Sequence, residues 1–408
     1  MPGERNRQVL AMKKVVVIGG AGAMGQVIVR DLLDNPEIEV IVADYDREKA
    51  DNLAQSLAEQ NGLVVGERIR GEFADITNKP LLVKILKNAS CVINSTPYYH
   101  NVNVMEAALE AGCHYTDLGG LFHVSKEQLR LDARFKESGL TAVIGMGAAP
   151  GMTNIMAAKA QENMESLESI DIFVGSIDNT ALDHPFLPPY SIETLIDEYT
   201  MPPMVFEGDY KEMPPLSGEI AVDFPAPVGE QHAIYTLHSE VLTLPMTYKA
   251  KGVERVTFRL GLPIQFHEKI KFLMSLGLGS KEKIHTADGA FSPRKILATL
   301  INQFPVPQVE PDDCEVVRVD VVGVIEGRRT MCRMETTVYN DKRWHVSCGA
   351  LDTGVPPSIV AQMLCDETIH SRGVLAPEVA VPADRFFQEL AKRGISMHRI
   401  SKQELVFH

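Results

Sequence analysis

Between Lys14 and Gly147, short apolar runs alternate with segments whose apolar residues recur at helical spacing. Val15-Val16-Val17-Ile18 is apolar at four successive positions, the pattern of a strand covered on both faces. The spacing then predicts a helix over 25–33, stopped near Asn35-Pro36, and a second strand over 40–43. A helix over 47–60 follows, with Gly62 beyond its end. Further strands are predicted at 69–74, 91–94, 115–118 and 142–144, with helices between them at 81–86, 104–111 and 126–136. Six strands alternating with helices predict an α/β, doubly wound parallel sheet.

After Asn154 the pattern changes. Ten of the 24 prolines fall between Pro185 and Pro245. Proline lacks a donor and fixes φ, so the expectation there is loops around one short helix over 191–199. Strand patterns return at 170–174, 256–260, 316–324 and 331–339, the last two reading as a hairpin across Glu326-Gly327. This predicts a second α/β domain with a mixed sheet. Pro356-Pro357-Ser358 reads as the start of a helix to about 364, and another helix is expected over 384–392, stopped by Gly394.

A chain of 408 residues suits two domains and can bury a sizeable core without disulfides or metals. Its formal net charge of −14 makes nucleic acid and membrane surfaces poor partners. The six cysteines (Cys91, Cys113, Cys314, Cys332, Cys348 and Cys365) form no C-x-x-C pair and sit in apolar stretches, so they read as buried, reduced thiols. His267-Glu268 lacks the second histidine of a zinc-protease helix, and no metal site is expected. Residues 1–12 are polar, without the apolar core of a signal peptide, and read as a disordered leader. The longest uncharged run, 138–158, holds Gly145, Gly147, Pro150-Gly151 and Asn154, and so reads as strand–loop–helix rather than a membrane span. The expectation is a soluble, cytoplasmic protein.

Gly20-Ala21-Gly22-Ala23-Met24-Gly25 is a G-x-G-x-x-G between the first strand and the first helix. In that setting Gly20 permits a tight turn, Gly22 lets backbone approach a pyrophosphate, and Gly25 lets helix pack on strand. Free N–H groups at the helix start, on Ala23 and Met24, suit phosphate oxygens. Asp44 ends the second strand, where a carboxylate accepts from a ribose diol and repels a 2′-phosphate. NAD is therefore expected ahead of NADP, with Arg47 as the residue that could pair with the extra phosphate. Asp75 ends the third strand, either beside the adenine or as a helix cap. Asn94-Ser95-Thr96-Pro97 ends the fourth, and Ser95 and Thr96 are expected on the nicotinamide side. Gly277-Leu278-Gly279-Ser280-Lys281 lacks the order of a phosphate-transfer loop.

Gly147-Ala148-Ala149-Pro150-Gly151-Met152-Thr153-Asn154 resembles the G-x-x-P-G-x-x-N hallmark of the saccharopine dehydrogenase family. Thr96-Pro97-Tyr98-Tyr99 fits the same family, and Asp117-Leu118-Gly119-Gly120 is similar to its lysine 6-dehydrogenase branch. The helix over 191–199, the run Gly373-Val374-Leu375-Ala376-Pro377-Glu378 and Arg393-Gly394-Ile395 extend the resemblance over nearly the whole chain from Lys14. The resemblance implies NAD(P)-linked chemistry at a carbon–nitrogen bond of an amino acid or its imine adduct. Family members act on saccharopine, on the ε-amine of lysine, or on carboxynorspermidine. It implies a Rossmann-like domain over 13–150 completed by 350–408, an inserted catalytic and dimerisation domain over 151–349, and a homodimer or higher homo-oligomer. It also points to Gly120, Pro150 and Asn154 as substrate-binding and to Tyr98 as a donor to substrate. The stretch His238-Ser239-Glu240-Val241-Leu242-Thr243-Leu244-Pro245 departs from the small, hydroxyl-rich run of the lysine 6-dehydrogenases.

Oxidising an amine needs a base to take its proton before the hydride leaves, and a histidine titrates near the working pH. His238 with Glu240 supplies a histidine and a carboxylate, placed on one face if the segment is a strand. His100, Asp183, His184 and Lys249 are further candidates. The expected partner is a small amino-acid substrate. The principal reading is an NAD-dependent lysine 6-dehydrogenase or saccharopine dehydrogenase. A carboxynorspermidine-type imine reductase, or a dinucleotide-binding sensor without catalysis, is the alternative.

Overall fold

The first sheet is built around β1 (Lys13–Ile18). Val15 and Val17 face one side, Val16 and Ile18 the other, and all four are buried. That is why the run is apolar without alternation. The computed structural model describes residues 12–181, 188, 190–287, 289–304 and 309–403. Of the expected leader all but Met12 lies outside the described residues, as do Asp183 and His184.

From β1 the chain runs through α1 (Ala23–Leu33), β2 (Ile38–Asp44), α2 (Arg47–Gln60), β3 (Ile69–Phe73), α3 (Lys79–Leu86) and β4 (Cys91–Asn94). A 3-10 turn (Tyr98–His100) leads into α4 (Asn101–Ala111), β5 (His114–Asp117), α5 (Leu121–Leu129), α6 (Asp132–Glu137) and β6 (Thr141–Val143). The single helix expected over 126–136 is thus two helices, broken at Arg130 and Leu131. The strands are parallel, in the order β6-β5-β4-β1-β2-β3. The order reverses at β1, which opens a crevice between β1 and β4 at their carboxyl ends.

α7 (Met152–Ala160) leads to β7 (Ser166–Asp178), the long central strand of the second sheet. Then come α8 (Ile192–Thr200), β8 (Met204–Glu207), β9 (Tyr210–Glu212), β10 (Ile220–Asp223), β11 (Glu230–Tyr235), α9 (Glu240–Tyr248) and β12 (Arg255–Gly261). The proline-rich region therefore holds four strands and a second helix, a correction to the loops expected there. Pro203, Pro214, Pro215, Pro225 and Pro227 flank the strands rather than occupy them, so no ladder donor is lost. α10 (Ile264–Ser275), β13 (Ile284–Thr286), β14 (Gly289–Phe291) and α11 (Pro293–Asn302) precede a long hairpin, β15 (Asp313–Ile325) and β16 (Arg328–Tyr339). The hairpin turns at Glu326-Gly327, both at positive φ, as a two-residue turn requires. β7 and β12 pair in parallel and the other pairs are antiparallel, so the sheet is mixed.

α12 (Cys348–Cys365) returns to the first sheet and lies along α1. It begins eight residues before Pro356, which corrects the start expected at the prolines. The cap is Ser347, whose hydroxyl accepts from the Ala350 N–H at 3.2 Å. β17 (Gly373–Leu375) then pairs with β6 as the seventh strand of the first sheet. α13 (Pro377–Ala380), α14 (Ala383–Lys392) and β18 (His398–Gln403) follow. β18 pairs with β16, so the last segment joins the second sheet, not the first as the 350–408 expectation had it.

Helix α12 approaches α1 closely because Gly354 has no side chain: a Cβ there would stand 2.7 Å from the Val27 Cβ. Ser358 and Arg393 reach the buried Asp31 of α1 at 2.6 and 2.5 Å and fix the pair. Gly354→Val is expected to destabilise the fold by about 1–3 kcal/mol through overpacking. A denaturant midpoint unchanged from wild type would show that α12 can shift without cost.

Candidate dinucleotide and substrate site

The loop after β1 turns at Gly19, whose φ of 73° needs glycine; the expectation that Gly20 makes this turn is corrected. Gly20 is small for another reason, since a Cβ there would stand 2.9 Å from the Val17 carbonyl oxygen. A Cβ on Gly25 would collide with the Gly19 carbonyl. A Cβ on Gly22 would meet only the Gly19 oxygen, at 3.2 Å, and otherwise points to open space. That is the geometry of a cradle for a ligand phosphate at the start of α1. Asp44 accepts from the Ala21 N–H at 3.1 Å, which ties the end of β2 to the loop. Arg47 is turned away to Asp51 and Glu72. Asp75 folds its carboxylate onto the Thr77 N–H and hydroxyl, so it closes a turn, and Asn78 is the cap of α3.

A cleft of about 580 Å³ runs from this loop into the second domain. Gly22, Ala23, Met24, Ser95, Thr96 and Tyr98 line its first-domain side, with Pro150 at its base. Glu198, His238, Phe258 and Glu315 face them across it. Ser95 donates to the Ile18 carbonyl at 2.7 Å, so the end of β4 is held against the end of β1.

His238 lies in the connection from β11 to α9, and Glu240 is the first residue of α9. The two meet, but not along a strand as expected. Nδ1 of His238 is 3.4 Å from Glu240, and Nε2 is 3.5 Å from Glu198. The imidazole stacks on Phe258, ring centres 3.5 Å apart. Burial alone would favour neutral imidazole, but the charges and hydrogen bonds of Glu240 and Glu198 outweigh it and push the group up to about 9. His238 is the only described residue lining the cleft that can carry a positive charge, so the cleft offers a proton donor framed by carboxylates.

Two of its carboxylate neighbours are themselves held. Thr153 donates to Glu240 at 2.9 Å, and the Tyr190 hydroxyl donates to Glu198. Asn154 accepts from the Gly151 N–H at 3.0 Å and donates to Thr243 and Glu378. The hallmark segment therefore grips α9 and α13 from within. Asp117, fully buried, accepts from the N–H groups of Gly119 and Gly145 and so shapes the loops at the cleft base.

With the geometry in hand, comparison with known proteins gives two domain matches. Residues 15–143 match the model of the saccharopine dehydrogenase NADP binding domain, and residues 147–395 match that of the saccharopine dehydrogenase C-terminal domain. The chain belongs to the saccharopine dehydrogenase family. It is 23% identical to carboxynorspermidine synthase of Vibrio alginolyticus, over 93% of this chain and 95% of that one. It is also 23% identical to carboxyaminopropylagmatine dehydrogenase of Synechocystis, over 95% and 98%. Its fold matches apo saccharopine dehydrogenase (L-Glu forming) of Saccharomyces cerevisiae, with a TM-score of 0.73 and 18% identity over 96% of this chain and all of that one.

Several expected site residues stand elsewhere in this saccharopine dehydrogenase relative. Asn154 is buried and off the cleft wall, because its amide is fully engaged inside the protein. Gly120 is also off the wall; it caps α5, and a Cβ there would press on Gln128 and Ser125. Tyr98 lines the cleft with its ring, but its hydroxyl donates to Asp197 at 2.8 Å rather than lying free for substrate. Arg294 holds the same carboxylate at 2.7 Å, so Tyr98 links the two domains through a buried ion pair. His100 packs its ring at a tilt against Tyr99 and Lys249 is exposed, both off the wall. Glu198 and Glu315 escape sequence reasoning, since one sits among the polar residues of a short helix and the other in a strand edge run. The alternation of α8, which puts Glu198 beside Asp197 and near Leu195, holds no sign of which carboxylate faces the cleft.

Gly22→Val is expected to abolish dinucleotide binding in a folded protein, because the added side chain enters the space open to the phosphates. Its φ of −73° and ψ of 171° suit valine, so the fold should survive. Calorimetry showing wild-type NAD(H) and NADP(H) affinity in the variant would remove the glycine loop from the site.

Proposed function

We propose that this chain is a nicotinamide-dependent oxidoreductase acting at the C–N bond that joins an amino-acid carbon chain to an amine, of the carboxynorspermidine kind. The sequence reading placed lysine 6-dehydrogenase first. The observation that supports a change of order is the cleft itself, where Glu198 and Glu315 face a space without a lysine or arginine among the described lining residues. Such walls suit a substrate rich in cationic nitrogens, and an amino-acid–diamine adduct carries one more of them than lysine does. The relatives named for carboxynorspermidine and carboxyaminopropylagmatine, each matched over nearly its full length, support the same reading.

Gly22, Ala23 and Met24 would hold the pyrophosphate, Asp44 the adenosine ribose, and Ser95 and Thr96 the nicotinamide half. When bound, the nicotinamide ring supplies or accepts the hydride. His238 holds its proton at neutral pH and is poised to deliver it to an imine nitrogen in the cleft, which makes the carbon a better hydride acceptor. Glu240 and Glu198 keep that proton in place beforehand and stabilise the charge on the substrate nitrogen afterwards. Phe258 fixes the ring plane, and the apolar wall of Val174 and Leu260 limits water beside the imine.

The test is loss of reduced-nicotinamide absorbance with an amino-acid semialdehyde and a diamine together, with lysine and saccharopine run as comparison substrates in the oxidative direction. Turnover confined to lysine alone would restore the first reading, and no turnover with any of them would favour a sensor. His238→Ala is expected to lower kcat by roughly 10²–10⁴, the worth of a positioned general acid, with cofactor affinity nearly unchanged. Because the raised group keeps its proton until about pH 9, the wild-type reductive rate should fall as pH rises through that value. The variant should lack that limb; an unaltered pH profile in His238→Ala would place the acid elsewhere.

We further propose NAD as the preferred cofactor. Asp44 stands at the loop while Arg47 is neutralised by Asp51 and Glu72. Asp44→Ser should weaken NAD binding and narrow the gap to NADP, since it removes the ribose acceptor and the charge that opposes a 2′-phosphate. A wild-type kcat/KM higher with NADP would show that Arg47 swings to the phosphate.

A further inference from the structure

The mechanism above leaves one pair of acids unused. Glu315 of β15 lines the cleft, and Asp352 of α12 stands behind it, wholly buried. Among the described residues neither oxygen of Asp352 has a well-formed hydrogen bond, and the donor beside it is Thr353. Asp352 interacts with the Glu315 carboxyl, and burial together with that neighbour holds Asp352 well above the carboxylate range. Burial also pushes Glu315 up, to about 7, with Asp313 and Glu198 adding to the effect. Two coupled, buried carboxyl groups do not both ionise, so Asp352 keeps its proton when Glu315 loses its own.

The groups packed around the pair are Asp313 on β15, Glu198 on α8, and Cys348 and Thr353 on α12. Tyr190 senses both Glu198 and Glu315, and burial with those charges keeps its phenol protonated. Asp313 is tied to the Cys348 N–H at 2.9 Å and Glu198 to Tyr190 and His238. No cation is among them. Buried acids without a cation cost stability, and among the described residues no arginine or lysine stands at any of these positions. A cation brought by the ligand would complete the site.

We propose that Glu315, backed by Asp352, is the specificity-determining counter-ion for a second ammonium of the substrate, the one remote from the reacting C–N bond, and that Glu315 gives up its proton to solvent when that ammonium binds while Asp352 keeps its own. His238 with Glu240 serves the reacting nitrogen; Glu315 reads the far end of the chain. This rests on the reading of the substrate as an amine. The charge change is balanced: one ammonium enters the cleft and the Glu315 proton leaves it. Asp352 thus acts through Glu315 and is a positioning residue. Because Glu315 must be ionised to pair with the ammonium, affinity should rise as pH rises through about 7, while the amine keeps its charge.

The experiment uses the full chain with NAD bound and two probes, 1,3-diaminopropane and propylamine, in calorimetry at neutral pH. Titrations in two buffers of different ionisation enthalpy report the proton count. Wild type should bind the diamine at least tenfold more tightly than the monoamine and release a proton with the diamine alone. Glu315→Gln should bind both amines alike, without proton release. Asp352→Asn gives Glu315 an amide donor in place of the Asp352 carboxyl, so the pH at which diamine binding strengthens should move down. A Glu315→Gln variant that still prefers the diamine, or wild-type binding without proton release, overturns the proposal. The wild-type proton count decides the matter even if both variants fail to fold. Turnover of an amine adduct with no discrimination between the two probes would sink this inference alone. Failure of wild type to bind either amine would sink the functional reading beneath it as well.

Discussion

A histidine cation buried between two carboxylates is the constraint around which the cleft is organised. His238, Glu240 and Glu198 are each under a tenth exposed, and taking such charges from water costs several kcal/mol per ion unless partners are held in place. The surrounding elements supply that hold. Thr153 on α7 fixes Glu240, Tyr190 fixes Glu198, and Phe258 on β12 fixes the ring between them. Neither contact of His238 is a short hydrogen bond: both stand at 3.4–3.5 Å, and Nδ1 and the Glu240 oxygen it faces have no closer partner among the described residues. The cluster is tight enough to keep the proton and slack enough to let a substrate nitrogen compete for it.

The same contacts join the domains. The chain leaves the first sheet after β6 and crosses through 144–151 into α7, whose first turn carries Asn154. In that crossing Asp117 gathers the Gly119 and Gly145 N–H groups, while Asn154 reaches both α9 and Glu378 near the C-terminal end. Tyr98 adds a second tie, from the end of β4 to the Asp197–Arg294 pair on α8 and α11. Residues that hold the cofactor side and residues that hold the proton donor are thus braced by one polar network. A substitution at Asn154 would act on chemistry through placement of α9, without touching a ligand.

The parallel sheet was legible because buried strands and amphipathic helices differ in period, and 47–60 matches α2 from end to end. The glycine loop was legible because Gly20 and Gly25 are crowded by backbone while Gly22 leaves space open for a ligand, although the positive φ falls on Gly19, one residue before the motif's first glycine. The proline-rich region misled because proline density measures how often strands end, not whether they exist. Pro356-Pro357 misled in the other direction, since Ser347 caps a helix that simply runs through them. His238 and Glu240 were found from their chemistry, but their meeting depends on a turn at Ser239 that periodicity does not encode. Glu198, Glu315 and Asp352 come from α8, β15 and α12, more than a hundred residues apart along the chain at the extremes, and only the tertiary fold gathers them.

That gathering decides what the cleft selects. One end of the cavity is the glycine loop, where N–H groups and the start of α1 favour phosphate anions. The other end holds Glu198, Glu315 and the one cation His238, a net acidic wall in a low-dielectric space. The two ends differ in sign, so they suit two ligands, an anionic one and a cationic one. In the proposed reading a dinucleotide would answer the N–H end and an amine adduct the acidic end, with the imidazolium between them where a proton is needed. A substrate whose sole cation is its reacting nitrogen would leave Glu315 protonated beside Asp352. A longer polycation would replace the Glu315 proton, so that acids which cost stability in the empty cleft would become the source of selectivity in the filled one.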